Sequence, residues 1–191
     1  MDSNGGGGMT HVWIEDIVEA FEDYNSGWKP YVNVDSGEVI FIPLKVDDFI
    51  GISEKEIEIY SHIEKYKQYV PLPSQKELRE YDIMEEYAME TLNKGIQKRL
   101  LNALGMTKPF RNFRTQLHLL NLEDDYNQYR YMVFASKARH WCLQNNIPFK
   151  VESDEIKEFF KEIEEDEKLE KELEEFQEIF DEFEYPDEFE E

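Results

Sequence analysis

The stretch from Lys108 to Phe149, KPFRNFRTQLHLLNLEDDYNQYRYMVFASKARHWCLQNNIPF, constrains the fold more than any other part of the chain. Glu123, Asp124 and Asp125 put acids where a helix N-terminus favours them, and helical spacing then runs to Asn145. One face of that helix presents Tyr131, Phe134, Ala138, Trp141 and Cys142, and another presents Tyr126, Tyr129, Val133 and His140. A helix that is apolar on more than one side sits at the centre of its domain. Before it, Pro109 is pre-set for a first helical turn, and Phe110, Phe113, Leu117 and Leu120 form a single apolar stripe. Asn121 breaks the two helices apart. The chain should therefore be built around an antiparallel helix pair.

The flanking segments are arranged to pack on that pair. Residues 1–9, MDSNGGGGM, read as a flexible linker or expression remnant ahead of the folded part. Val12, Ile14, Ile17, Val18 and Phe21 predict a first helix ending near Tyr24, with Thr10 as its N-cap. A β-hairpin follows at about 30–42: Tyr31 to Val34 alternate, Asp35-Ser36-Gly37 supply the turn, and Val39 to Ile42 return. Ser53 with Glu56 and Ser74 with Glu77 are two capping boxes, predicting helices over 53–68 and from Ser74 through Tyr87-Ala88, with YVPLPS extended between them. A shorter helix over 93–104 should stop at Gly105 in the left-handed conformation. The reading is an α+β fold, predominantly helical, with one small hairpin, spanning 10–150.

Residues 151–191 form an acidic helical extension. Leu169, Leu173, Phe176, Phe180 and Phe183 recur at spacings of four and three, a heptad-like seam. Such a stripe is expected to dock on something, either this chain's own domain, a second copy, or a partner protein.

Charge divides the chain in the same way. Of a net −23, residues 1–93 carry 20 acidic and 7 basic groups, 94–150 carry 3 and 10, and 151–191 carry 21 and 4. A basic middle is flanked by acidic ends. No apolar run approaches the ~20 residues that span a bilayer, and no signal-peptide pattern is present, so a cytoplasmic protein with no membrane partner is expected. A single cysteine, Cys142, leaves no intramolecular disulfide and suits a reducing compartment.

The opening helix and the hairpin with its SGEV turn (Ser36 to Val39) carry a resemblance that continues in YVPLPSQKELREYDIMEEY (Tyr69 to Tyr87) and PFRNFRTQLHLLNLED (Pro109 to Asp124). Together these resemble a bacterial family known as uncharacterised protein family 0158, over residues 10–149. The family's pattern has glycine where this chain has Asn121, tryptophan at Tyr126 and tyrosine at Asn127. The resemblance implies the same fold plan. It implies no catalytic residue, since the family has no assigned activity.

Two surfaces stand out as candidate sites. Arg111, Arg114, Arg130, Lys137, Arg139 and His140 would form an anion-binding face if the helix pair brings them together, suited to nucleic acid or a nucleotide. The plainer reading is that they are counter-charges to 44 carboxylates. Leu173, Phe176, Phe180 and Phe183 would anchor a protein partner or a homodimer, with glutamates steering a basic surface. Enzymatic chemistry finds little footing. His11, His62, His118 and His140 lack HxxH or HExxH spacing, no nucleotide or nucleophile-elbow loop occurs, and Cys142 beside Trp141 reads as core. No catalytic residue, metal site or cofactor is assigned. The expectation is a non-enzymatic interaction or regulatory protein acting through the tail. Nucleic-acid binding modulated by the tail is the alternative, and a carboxylate-dependent metal enzyme stands last.

Overall fold

Val12 and Phe149, far apart in sequence, lie side by side in the computed structural model, which describes residues 10–23, 27–45, 51 and 53–182, with side chains of the last helix as far as residue 174. The elements run β1 (Val12–Trp13), α1 (Ile14–Glu22), β2 (Trp28–Asn33), β3 (Glu38–Pro43), α2 (Glu54–Ser61), a 3-10 turn (Ile63–Lys65) and β4 (Tyr69–Pro71). They continue with α3 (Gln75–Leu78), α4 (Glu80–Glu90), α5 (Lys94–Leu104), α6 (Pro109–Leu120), α7 (Glu123–Gln144), β5 (Phe149–Lys150) and α8 (Asp154–Glu182). The fold is α+β and predominantly helical. Its contacts divide it into two units, 1–152 and 153–191. Among the described residues no helix is long and apolar enough to cross a membrane.

The first unit closes on itself through backbone pairing. β1 and β5 run parallel, and the Val12 amide donates to Pro148 O at 3.1 Å. That pairing corrects the expected first helix. Val12 and Trp13 are extended, α1 begins at Ile14, and the Thr10 hydroxyl donates to Asp35 O at 2.7 Å instead of capping a helix. The expected helix end near Tyr24 lies outside the described residues, although α1 itself stops at Glu22. α1 buries Ile14, Ile17, Val18 and Phe21, and the Phe21 ring meets Phe134 of α7 edge-on at 5.7 Å.

The hairpin forms with Tyr31 opposite Ile40, and its turn admits only glycine at Gly37. There φ is +79°, and a Cβ would lie 2.3 Å from His11 O. A third strand was missed. The extended Tyr69–Pro71 pairs antiparallel with β2, so the sheet order is β3-β2-β4 with β2 central. Proline at 30 survives in a central strand because its carbonyl, which it keeps, accepts from Leu72 N at 3.0 Å. Recruitment of β4 also shortens the preceding helix, which leaves α geometry after Ser61 rather than reaching 68.

Both capping boxes form as the sequence predicts, with Ser53 N donating to Glu56 Oε2 at 3.0 Å and Ser74 N to Glu77 Oε2 at 2.8 Å. The hydrogen bonds from Ser53 and Ser74 hold both glutamates below the usual carboxylate pKa. The helix expected from Ser74 through Ala88 is broken at Arg79, which adopts φ 55°. Leu78 and Ile83 are both buried, yet five residues on a straight helix separate them by roughly 140°. The kink turns both inward and places Glu80 at the start of a new helix. Gly105 is a further correction. It stays right-handed at φ −74°, and the reversal falls at Lys108 (φ 62°), just before Pro109.

α4, α5 and α6 pack in sequence against one another and enclose Met84, Leu100, Leu104, Phe113, Leu117 and Tyr126. The α6–α7 corner is a left-handed cap at Asn121 (φ 54°), where Leu122 N donates back to Leu117 O at 2.9 Å. Glycine meets the same backbone demand at no steric cost. Replacing Asn121 by Gly should therefore leave stability within ~0.5 kcal/mol, whereas Asn121→Val should cost about 1–2 kcal/mol. Urea unfolding of the two variants checks the difference, and equal stabilities would contradict the assigned cap.

Candidate functional site

Arg130 of α7 makes several polar contacts at once. Its Nε donates to Glu80 Oε1 at 3.0 Å, its Nη1 donates to Glu22 Oε1 at 2.9 Å, and its Cζ stands 4.3 Å over the Phe134 ring. The sequence separations to Glu80 and Glu22 are 50 and 108 residues, so one guanidinium joins α7 to the start of α4 and the end of α1. Helix geometry explains the ring contact, since positions 130 and 134 are one turn apart. The Arg79 kink explains Glu80. Arg130 and Glu80 side chains are 16% and 17% exposed, so water screens this pair less than a surface one. Arg114 of α6 adds a third approach, with Nη2 3.9 Å from the same Glu80 oxygen.

These charges rim a cavity of about 280 Å³ lined also by Leu117, Glu123, Tyr126 and Asn127. Glu123 Oε2 stands 2.8 Å from His118 Nδ1. Tyr126 belongs to an aromatic cluster, its ring centroid 5.1 Å from Tyr87 and 5.3 Å from Phe113, both edge-on. The Tyr87 hydroxyl donates to Asp125 Oδ2 at 2.6 Å. The Tyr126 hydroxyl is buried and has no hydrogen-bond partner. Burial first, and then the Glu80 carboxylate, push its pKa well above the usual phenol value, while Arg130 and Arg114 act in the opposite sense. Burial followed by Glu90 and Glu86 raises Tyr129 to about 12. A buried hydroxyl without a partner costs ~1–3 kcal/mol, and native proteins leave few of them. Tyr126 is the polar atom of this region that the fold itself leaves unsatisfied.

The sequence-predicted basic residues distribute as follows. Arg114 and Arg130 come together at the cavity. Arg111 is exposed on α6, Lys137 is half-buried two turns along α7 from Arg130, and Arg139 is half-buried. His140 is exposed, with Nε2 2.7 Å from Gln144 Nε2. On α8, Leu173 is 60% exposed and Leu169 56%. Phe176 and Phe180 belong to α8 with their side chains outside the described ones, and Phe183 lies beyond the described residues. Cys142 is fully buried, and burial pushes its thiol up to about 12, where no thiolate is present near neutral pH. Among the described residues no three of His, Cys, Asp and Glu stand together as a metal site. Sequence reasoning passed over Glu22, Glu80 and the Tyr126 hydroxyl. No local pattern in the sequence singles them out, since they act across 108 and 50 residues from Arg130.

No family model, curated protein or solved structure matches the chain.

Removing one partner of a mostly buried pair leaves the other's charge uncompensated. Arg130→Ala should cost ~3 kcal/mol in urea unfolding, because Glu22 and Glu80 lose their common partner and Phe134 its cover. Arg111→Ala should stay within ~0.5 kcal/mol. Equal, small effects for both would contradict the role given to Arg130.

Proposed function

We propose that this chain is a non-enzymatic interaction protein with a regulatory role, engaging a basic partner protein through the acidic amphipathic helix α8. The observation that carries the reading is the exposure of Leu169 and Leu173, one turn apart on a helix of 29 residues. That helix bears fifteen carboxylates and four lysines. Two copies of it would repel one another, whereas a partner with an apolar groove rimmed by Lys or Arg complements both the stripe and the charge. Phe176, Phe180 and Phe183 extend the same stripe in sequence. The first unit serves as the folded platform that carries the helix.

The alternative, nucleic-acid or nucleotide binding by the basic face, draws less support. Arg130 is held by Glu22 and Glu80, and Arg114 also faces Glu80. Those carboxylates would compete with phosphate for the same donors.

A basic amphipathic peptide, with leucines at helical spacing among lysines, is a suitable probe for the full chain. Fluorescence anisotropy should show binding that weakens with added salt. The double variant Leu169→Glu/Leu173→Glu should weaken it at least tenfold, about 1.4 kcal/mol. Light scattering should report a monomer for both proteins. A full-length dimer that this variant dissolves would instead make a second copy the occupant, and binding indifferent to the variant would overturn the proposal.

A further inference from the structure

The α5–α6 pair carries a charge pattern that the tail reading does not use. Residues 94–122 hold six Lys or Arg and not one Asp or Glu, in a chain of 44 carboxylates and 21 Lys and Arg. Where acids are in such excess, a surface cation ordinarily finds a carboxylate beside it. Arg114 does, at Glu80. Lys94, Lys98, Arg99, Lys108 and Arg111 do not, and none of the five forms an ion pair among the described residues. Arg99 turns instead to a neutral amide, its Nε and Nη2 donating to Gln116 Oε1 at 3.2 and 2.9 Å. Two helices packed together and joined by a short turn run antiparallel. Between them lies a groove of about 330 Å³ whose lining includes Arg99, Asn102, Met106, Asn112, Thr115 and Gln116, and no carboxylate. With Arg99 opposite Gln116, Lys94 and Lys98 fall toward one end of the groove and Lys108 and Arg111 toward the other. Lys94 and Arg111 are then roughly 15 Å apart along the axes, at about 1.5 Å per residue.

We propose that this face binds a single-stranded nucleic acid. A row of unpaired cations of that length meets several phosphates of one strand, and no carboxylate in the groove competes for the same donors. An acidic protein would satisfy the charge as well, but a second observation favours the nucleic acid. Phe110, adjacent to Arg111 at the start of α6, is 44% exposed, and its ring meets Tyr81 of α4, 36% exposed, edge-on at 6.5 Å. Exposed aromatic rings beside unpaired cations give a base a surface to stack on while its phosphates are held, and stacking of this kind tolerates any sequence. The net −23 of the chain repels a polyanion at long range, but salt screens that repulsion beyond ~10 Å, whereas the cations act in contact. Of the residues expected to form an anion-binding face, only Arg111 belongs to this one. Arg114 and Arg130 are engaged by carboxylates and take no part. The inference stands independently of α8.

The test uses the full chain and a fluorescein-labelled oligothymidylate of about 12 nucleotides, with polyglutamate as the control polyanion. Fluorescence anisotropy at low salt should show binding that falls steeply as salt rises, because each phosphate neutralised releases counterions. The double variant Lys98→Gln/Arg111→Gln should weaken binding about tenfold or more and make the log–log salt slope shallower by ~1.4, at ~0.7 for each lost contact. Phe110→Leu should weaken it about fivefold with the salt slope unchanged, a combination that a purely electrostatic contact does not give. All three positions are exposed, so the variants should melt at the parent's temperature. The proposal is overturned if the oligonucleotide does not bind at low salt, or if the double variant binds as tightly as the parent. Competition by polyglutamate at equal charge concentration, together with an unaffected Phe110→Leu, would assign the face to an acidic protein and overturn it as well.

Discussion

The Arg130 guanidinium is the interaction on which the first unit's arrangement turns. Apolar burial supplies most of the driving force for assembling α1, α4, α6 and α7, but it is non-directional. The two hydrogen bonds from Arg130, to Glu80 and Glu22, fix how the helices meet. Planarity makes arginine suited to this. Nε and Nη1 point in different directions from one rigid group, so two carboxylates on separate helices are held at once while the face of the group lies on Phe134. A lysine at this position would supply the charge without the fixed angle. Closure of the unit by β1 and β5 then brings its two ends together, at Val12 and Phe149.

The same arrangement generates the cavity. Glu22, Glu80, Arg114, Glu123 and Arg130 line it together with Tyr126, whose hydroxyl is buried without a hydrogen-bond partner. Packing and polar satisfaction are in tension there. Tyr87 and Phe113 hold the Tyr126 ring edge-on, which positions the ring well but offers the hydroxyl nothing. Sites where local consistency fails in an otherwise consistent fold are where function is commonly found.

Legibility in the sequence followed the range of the interaction. The capping boxes at Ser53 and Ser74, the Pro109 start and the Gly37 turn were readable because each depends on residues within a few positions. The Asn121 break was readable for the same reason. Two of the errors involve partners far away in the chain. Val12 and Trp13 have helical spacing with Ile17 and Phe21, but strand pairing with Phe149 and Lys150 prevails. Tyr69–Pro71 looks merely extended until β2 stands beside it. Gly105 was a reasonable left-handed cap, yet the chain delays its reversal to Lys108, where Pro109 restarts the helix. The basic face was half legible. Helical spacing named Arg114 and Arg130, but nothing local tells that Glu22 and Glu80 reach them across 108 and 50 residues.

Native-state hydrogen exchange on the full chain tests this account most directly. If α7 and its Arg130 contacts organise the first unit, the central amides of α7, around residues 130–142, exchange slowest. The facing amides of α1 and α4 then open with them as one cooperative unit, at the free energy of global unfolding. Exchange of the α7 centre at rates orders of magnitude faster than the rest of the unit, or opening of α1 and α4 independently of it, would contradict the central place given to Arg130 and its helix.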